Sequence, residues 1–290
     1  MPPAGSDARP SGPVAVVTDS TAYLPADLLA AHAITVVPVQ VVIGGTSYDE
    51  GAAVSSQAVA DALREWRPVT TSRPSPEAFL RAYAAAAAAG ARGVVSVHLS
   101  ADMSGTVTSA ELAAREATLP VRVVDSRTLG MAMGFAVVTG AQTAAAGADL
   151  DTVAEAVAAR CAASSAFFYV DTLEYLRRGG RVGAAAALVG SALSVKPLLH
   201  LVDGRIALLE KVRTTSRALV RLEDVAVERA GSAPVDIAVH HLASPARADV
   251  LAAKIRDRVP ALRELVVCEV GAVVGAHVGP GMLAVAVSPV

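Results

Sequence analysis

Short Val/Ile-rich runs alternate with longer Ala/Leu-rich stretches along most of this chain. That alternation predicts an α/β protein whose strands are joined through helices. Residues 14–18 form the first apolar run, which ends in Asp19-Ser20-Thr21. A helix over 25–31 and extended chain over 34–43 follow. Residues 55–64 and 75–89 read as helices, the second opening on Ser75-Pro76-Glu77, with a hydroxyl cap, a first-turn proline and an acid. The pattern continues with a strand at 93–99, a helix at 104–116 and a strand at 121–125. Helices at 130–146 and 150–163 follow these.

Beyond residue 163 the texture changes. A short strand at 167–170 precedes the polar stretch 171–183, which carries Arg177, Arg178 and Arg181. A helix is predicted at 184–193, then strands at 197–202 and 205–211 joined at Asp203-Gly204, a hairpin signal. Helices at 216–229 and 245–259 alternate with strands at 235–240, 265–270 and 283–287. The division expected is a disordered tail over 1–13, an N-terminal α/β domain over 14–163 with a mainly parallel sheet, and a C-terminal α/β domain over 164–290.

Hydrophobic residues make up 53% of the 290 and aromatics only 3%, so the core must be built from Ala, Val and Leu. A net charge of −2 gives no general attraction to nucleic acid, and no nucleic-acid partner is expected. Cys161 and Cys268 form neither a disulfide framework nor a C-x-x-C pair. Both read as buried small hydrophobes, and no metal is expected. No run approaches the roughly 18 apolar residues of a membrane span, and no apolar segment follows a basic one at the start. The expected location is the cytoplasm.

Several apolar runs end in small hydroxyl residues: Thr18-Asp19-Ser20-Thr21, Thr70-Thr71-Ser72, Ser100 to Thr106, and Asp125-Ser126. Helix capping is the ordinary role of each. Gathered at the carboxyl ends of parallel strands they would instead line a ligand crevice. Ser104-Gly105-Thr106 is the most suggestive turn, offering a hydroxyl, backbone N–H groups and a glycine over which a ligand can approach. Carboxylate and phosphate fit it equally. G-x-S-x-G, P-loop and G-x-G-x-x-G patterns are absent. His240-His241 is a weak metal signal, because neighbours on a strand face opposite ways. His277 stands in a glycine-rich stretch read as a loop.

Taken in order, six segments resemble the DegV family of bacterial fatty-acid-binding proteins. They are VVTDSTAYLP at 16–25, TSRPSPEAF at 71–79, HLSADMSGTVTSA at 98–110, VVDSRTLGMAMG at 123–134, DTLEYLRRGGRVG at 171–183 and VGAHVGPGML at 274–283. The resemblance implies two α/β domains with a long-chain fatty acid in a tunnel between them. It implies that Thr71 and Ser104 bond the carboxylate beside Gly105, and that Arg181 and His277 belong to the same polar end. The partner it implies is a separate fatty acid kinase subunit that makes acyl phosphate. The chain itself would then lack catalytic residues, would need no cofactor beyond its lipid, and would touch membranes only transiently. Arg73 stands where the family usually has glutamine and is expected to alter the pocket mouth. Tyr23 replaces an aspartate and is expected to matter little for the ligand. The rival functions are a lipid-dependent regulator and an acyl-acting enzyme using Ser104, with His277 as its base.

Elementary energetics fit such a carrier. Burying a sixteen-carbon chain at ~0.8 kcal/mol per CH₂ yields roughly 10 kcal/mol before ordering costs. Neutral hydroxyls would then suffice to orient the head group.

Overall fold

The structure, a computed structural model, describes residues 12–51, 54–188 and 196–290. Most of the tail predicted at 1–13, and the end of the helix predicted at 184–193, lie outside the described residues. In chain order the strands are β1 Val14–Asp19, β2 Thr35–Val37, β3 Gln40–Ile43, β4 Thr46–Asp49, β5 Val69–Ser72, β6 Gly93–His98 and β7 Val121–Asp125. They continue with β8 Ser165–Tyr169, β9 Lys196–Val202, β10 Arg205–Val212, β11 Val235–His241, β12 Leu262–Glu269 and β13 Leu283–Pro289. The helices are α1 Ala26–Ala31, α2 Ser56–Arg64, α3 Pro76–Ala88, α4 Thr106–Glu116 and α5 Met131–Ala145. After them come α6 Leu150–Ala163, α7 Glu174–Arg178, α8 Thr215–Ala230, α9 Pro245–Arg258 and α10 Ala272–Val278.

Two sheets dominate. The first has the order β2-β1-β6-β7 with every neighbouring pair parallel. Buried on both faces, β6 reads as the unbroken run GVVSVH, as a central parallel strand should. The second is six-stranded, β10-β9-β8-β13-β11-β12, antiparallel except for β11 with β12. Phe79 and Tyr83 of α3, with Ala110 and Ala113 of α4, cover one face of the parallel sheet. Leu222 of α8 and Leu251 and Ile255 of α9 cover the outer face of the six-stranded sheet.

Between the sheets lies α5, whose residues 131–137 are all buried. A helix apolar all round is one enclosed on all sides. Met133, Ala136 and Val137 pack toward Val95 and Val97 of the parallel sheet. Met131, Ala132 and Phe135 pack against Ala238 and Ala286 of the six-stranded sheet. Small residues set the spacing within this layer too. A Cβ added at Gly140 of α5 would lie 2.5 Å from Cγ2 of Val157 in α6. From α6, Arg160 pairs with the buried Asp236 at 2.7 Å and donates from Nε to Ser288 Oγ at 2.6 Å, joining the helix to the second sheet.

Several predicted elements differ in detail. The extended stretch 34–43 breaks at Pro38 and serves two sheets, β2 in the parallel sheet and β3 in a small antiparallel sheet β4-β3-β5. Neither β4 (TSYD) nor β5 (VTTS) was predicted, because each has only four residues and few apolar positions. Within the polar stretch 171–183 lies the short helix α7. At 183–188 the chain is 3₁₀-helical rather than the α-helix predicted there. The helix predicted from Ser104 begins at Thr106 with Gly105 as its cap. Cys161 is buried as expected, whereas Cys268 at the sheet edge is only partly covered.

Gly140→Val should overpack the α5–α6 contact and lower stability by about 1–3 kcal/mol, read as a reduced midpoint in denaturant unfolding.

Candidate functional site

In the parallel sheet the chain leaves β1 toward β2 on one side and β6 on the other, so the switch point lies between the carboxyl ends of β1 and β6. Beyond β6 the loop through Leu99 and Met103 to Gly105 turns into α4. On one side of this loop stand Thr71, in β5, and Arg73, just past its end, both on the wall of the same cavity. On another side stands α10, which carries His277. The turn Gly179-Gly180-Arg181 after α7 closes the group.

The structure brings together all five residues singled out for the head group, Thr71, Ser104, Gly105, Arg181 and His277, on the wall of one cavity of about 190 Å³. Thr71 Oγ1 lies 2.9 Å from His277 Nε2. A Cβ added at Gly179 would fall 2.0 Å from His277 Nδ1, so the imidazole rests directly on a backbone that must be glycine. Nδ1 is buried and has no hydrogen-bond partner among the described residues. A ring proton there would be unsatisfied, so we assign it to Nε2, which donates to Thr71 Oγ1. The Thr71 hydroxyl hydrogen is then free for another acceptor. Burial, and secondarily the nearby Arg181, lowers the His277 pKa to about 4 and keeps the ring neutral.

Arg181 donates from Nη1 to the Gly179 carbonyl at 2.6 Å and from Nε to the Met103 carbonyl at 3.0 Å. It thereby ties the Ser104 loop to the glycine turn. Ser104 Oγ lies 2.8 Å from Thr106 Oγ1. Space above Gly105, expected to admit a ligand to the backbone, is taken by the side chain of Arg73. Two guanidinium groups therefore line this end: Arg181, expected there beside the hydroxyls, and Arg73, expected to alter the pocket mouth. Among the described residues no Asp or Glu lines it.

Away from these groups the wall is apolar: Leu99, Leu129, Leu176, Ile206, Val274 and Val278. Leu129, Ile206, Val274 and Val278 also line a second void of about 70 Å³, which continues past Phe168, Leu201, Met282 and Ala284 to His240. The two voids thus share lining residues, the first beside the donors at residues 71 and 104 and the second against the inner face of the six-stranded sheet. At the deep end His240 Nε2 accepts from Met131 N at 3.1 Å at the start of α5. Its proton therefore sits on Nδ1, 3.1 Å from Cys268 Sγ. Burial, and then the neighbouring His241, lowers the His240 pKa to about 4. His241 turns the other way, with Nδ1 3.7 Å from Glu269.

The helix bearing His277 is fastened by residues the sequence reading missed or discounted. Glu50 accepts from Val273 N at 2.8 Å and from Ser20 Oγ at 2.5 Å, and Tyr23 Oη accepts from Val274 N at 3.3 Å. Tyr23, expected to matter little, therefore helps to position α10 and through it His277. Burial, above all, raises the pKa of Glu50. No motif flagged Glu50, which stands just after β4 in the polar stretch TSYDE. A larger cleft of about 770 Å³ lies beside it, lined by Asp19, Glu50 and Glu269 and, among the described residues, by no Lys or Arg, a poor match for a carboxylate.

Catalytic groupings are few. Asp19, His98 and Ser96 form a chain of contacts at 3.1 and 2.7 Å that resembles a hydrolytic triad. All three are fully buried, and Tyr83 donates to Ser96 Oγ at 2.8 Å, so the serine is closed to substrate. His277, the base required if Ser104 were a nucleophile, is engaged with Thr71 instead. Among the described residues no group of three His, Cys, Asp or Glu could hold a metal ion, and no helix is long and apolar enough to cross a membrane.

His240 and His277 both stay neutral in the folded chain down to about pH 4, while in the unfolded chain each takes a proton near 6.5. Between those values the unfolded state binds more protons, so stability should fall as pH drops from about 6.5 to 4. Each imidazole contributes up to about 3 kcal/mol of that loss. Denaturant unfolding at several pH values should show the slope, and His240→Gln should flatten it.

A protein-family model described as "Uncharacterised protein, DegV family" matches residues 13–290. A DegV domain-containing protein of Streptomyces coelicolor is 59% identical over 275 residues, covering 95% of this chain and 98% of its own. Among solved structures, a DegV family protein from Thermus thermophilus described as fatty acid binding superposes with a TM-score of 0.91 at 32% identity, covering 96% of this chain and all of its own. DegV from Bacillus subtilis, described as a fatty acid binding protein, gives 0.89 at 31% identity, covering 97% of this chain and all of its own. The chain belongs to the DegV family.

Proposed function

We propose that the protein binds one long-chain fatty acid with its acyl chain in the apolar slot and its carboxylate at Thr71, Ser104 and the Gly105 turn. The halves 14–163 and 164–290 supply the two walls. The observation that carries this reading is a pair of adjoining apolar voids, one of which holds convergent donors and, among the described residues, no acid. The proteins from Thermus thermophilus and Bacillus subtilis described as fatty acid binding support it, since both align along nearly the whole chain. Thr71 would donate its hydroxyl hydrogen to the carboxylate while His277 holds the oxygen from behind. Arg181, occupied by two carbonyls, acts as a brace for the loop that presents Ser104.

The bound acid is presented, in this reading, to a separate kinase subunit in the cytoplasm. One carboxylate oxygen takes the terminal phosphoryl group of a nucleoside triphosphate, and the diphosphate leaves. The chain itself supplies no base for that step, because a carboxylate is already ionised at neutral pH. No cofactor besides the lipid enters the scheme.

Lipid extraction of the purified protein followed by mass spectrometry should return a fatty acid in about equimolar amount; a lipid-free slot that also fails to take up added fatty acid would sink the proposal. Ala284→Phe, which fills the slot, should reduce affinity for a long chain by roughly tenfold or more while melting changes little. Thr71→Val and Ser104→Ala should each leave the fold intact and slow kinase-dependent acyl-phosphate formation, measured with the purified subunit.

A further inference from the structure

Arg73 is exposed at the cavity mouth, and among the described residues its guanidinium makes no hydrogen bond or ion pair. Its chain lies across Gly105: a Cβ added there would sit 2.4 Å from Nη1 and 2.8 Å from Cδ of Arg73. Gly105 caps α4, an eleven-residue helix whose first N–H groups receive no side-chain cap. A guanidinium is therefore held beside the positive end of a helix with no acid between them. That arrangement is repulsive by itself and becomes attractive when an anion is shared. The second guanidinium on the wall, Arg181, already bonds two carbonyls, so the cation with free donors at the mouth is Arg73.

We propose that Arg73 is a specificity-determining residue that holds a phosphoryl group at the head of the bound lipid, so that this cavity prefers an acyl phosphate to the free acid. The inference rests on the fatty-acid reading above and names the product-like ligand of the same site. A carboxylate seated at Thr71 and Ser104 is satisfied by neutral donors deeper in the wall. A phosphoryl group attached to it extends outward by one phosphorus and its oxygens, toward the mouth where Arg73 lies. Dianionic phosphate suits a guanidinium, which offers paired N–H donors to two oxygens at once. Lysine would place charge there without the paired geometry.

Equilibrium binding of hexadecanoate and of hexadecyl phosphate to the intact chain tests this. The wild-type protein should bind the phosphate more tightly than the acid. Arg73→Gln should lower the phosphate-to-carboxylate affinity ratio by roughly tenfold or more, and Arg73→Lys should lower it by less. An unchanged ratio in Arg73→Gln overturns the assignment while leaving fatty-acid binding intact. A wild-type ratio favouring the acid overturns it as well. Binding of neither ligand overturns the fatty-acid reading, and this inference falls with it. Melting curves on both variants identify any loss that comes from unfolding, in which case a competition assay on the Arg73→Lys chain decides.

Discussion

The polar end of the cavity depends on a helix of seven residues that could not stand alone. Such short helices are unstable in isolation, because nucleation costs more than a few hydrogen bonds return. In this protein the start of α10 is fastened from the other half of the chain by Glu50 and Tyr23. Its end is fastened by His277, which meets Thr71 from the same half and rests on Gly179. Gly271, just before the helix, leaves room for the Glu50 carboxylate; a Cβ there would stand 2.2 Å from Oε1. Burying that carboxylate is costly, and backbone and hydroxyl donors offset the cost. Loss of Glu50 would leave the Val273 N–H unpaired, so the geometry at the polar end and the seam between the halves are one problem.

Small residues carry the rest of the design. With few aromatic residues available, the two sheets approach α5 through Ala238 and Ala286 on one side, and α6 reaches it across Gly140. Alanine on an inner sheet face also leaves the slot unfilled: Ala166, Ala284 and Ala286 line its deep part, where larger side chains would close it. The same economy thus serves packing in one direction and a void in the other. Ala286 does both, packing against α5 and lining the slot.

Much of this was legible in the sequence. The unbroken GVVSVH run and the Asp203-Gly204 turn gave β6 and the β9–β10 hairpin without ambiguity. The head-group cluster was legible only through resemblance, since Thr71 and His277 are 206 residues apart and no spacing rule links them. Thr71 sits on a strand whose four residues, VTTS, look like loop, and His277 sits on a helix whose glycines look like loop. Both elements exist because of partners elsewhere: β5 pairs with β3, and α10 packs Ala272 and Ala276 against Val41, Val59 and Leu63. Tertiary contacts overrode weak local preference in each case. Glu50 and Tyr23 were missed for the same reason, because their role is defined by a helix more than two hundred residues away.

The charge at this site also differs from what hydroxyl-rich motifs suggest, and the difference is one of position rather than amount. Arg181 and Arg73 both line the cavity, yet their surroundings give them different work. Two backbone carbonyls take up donors of Arg181, which makes it a structural tie between the Ser104 loop and the Gly179 turn. Such a tie holds charge at this end of the cavity while leaving the Thr71 and Ser104 hydroxyls as the neutral groups on its wall. Arg73 has no such partners and stands farther out, across Gly105. A ligand atom at Thr71 therefore meets a hydroxyl backed by a neutral imidazole, and one displaced toward the mouth meets an unpaired cation. The gradient from apolar slot, to hydroxyl, to free guanidinium follows from where three short segments end, and it gives the cavity a direction as well as a shape.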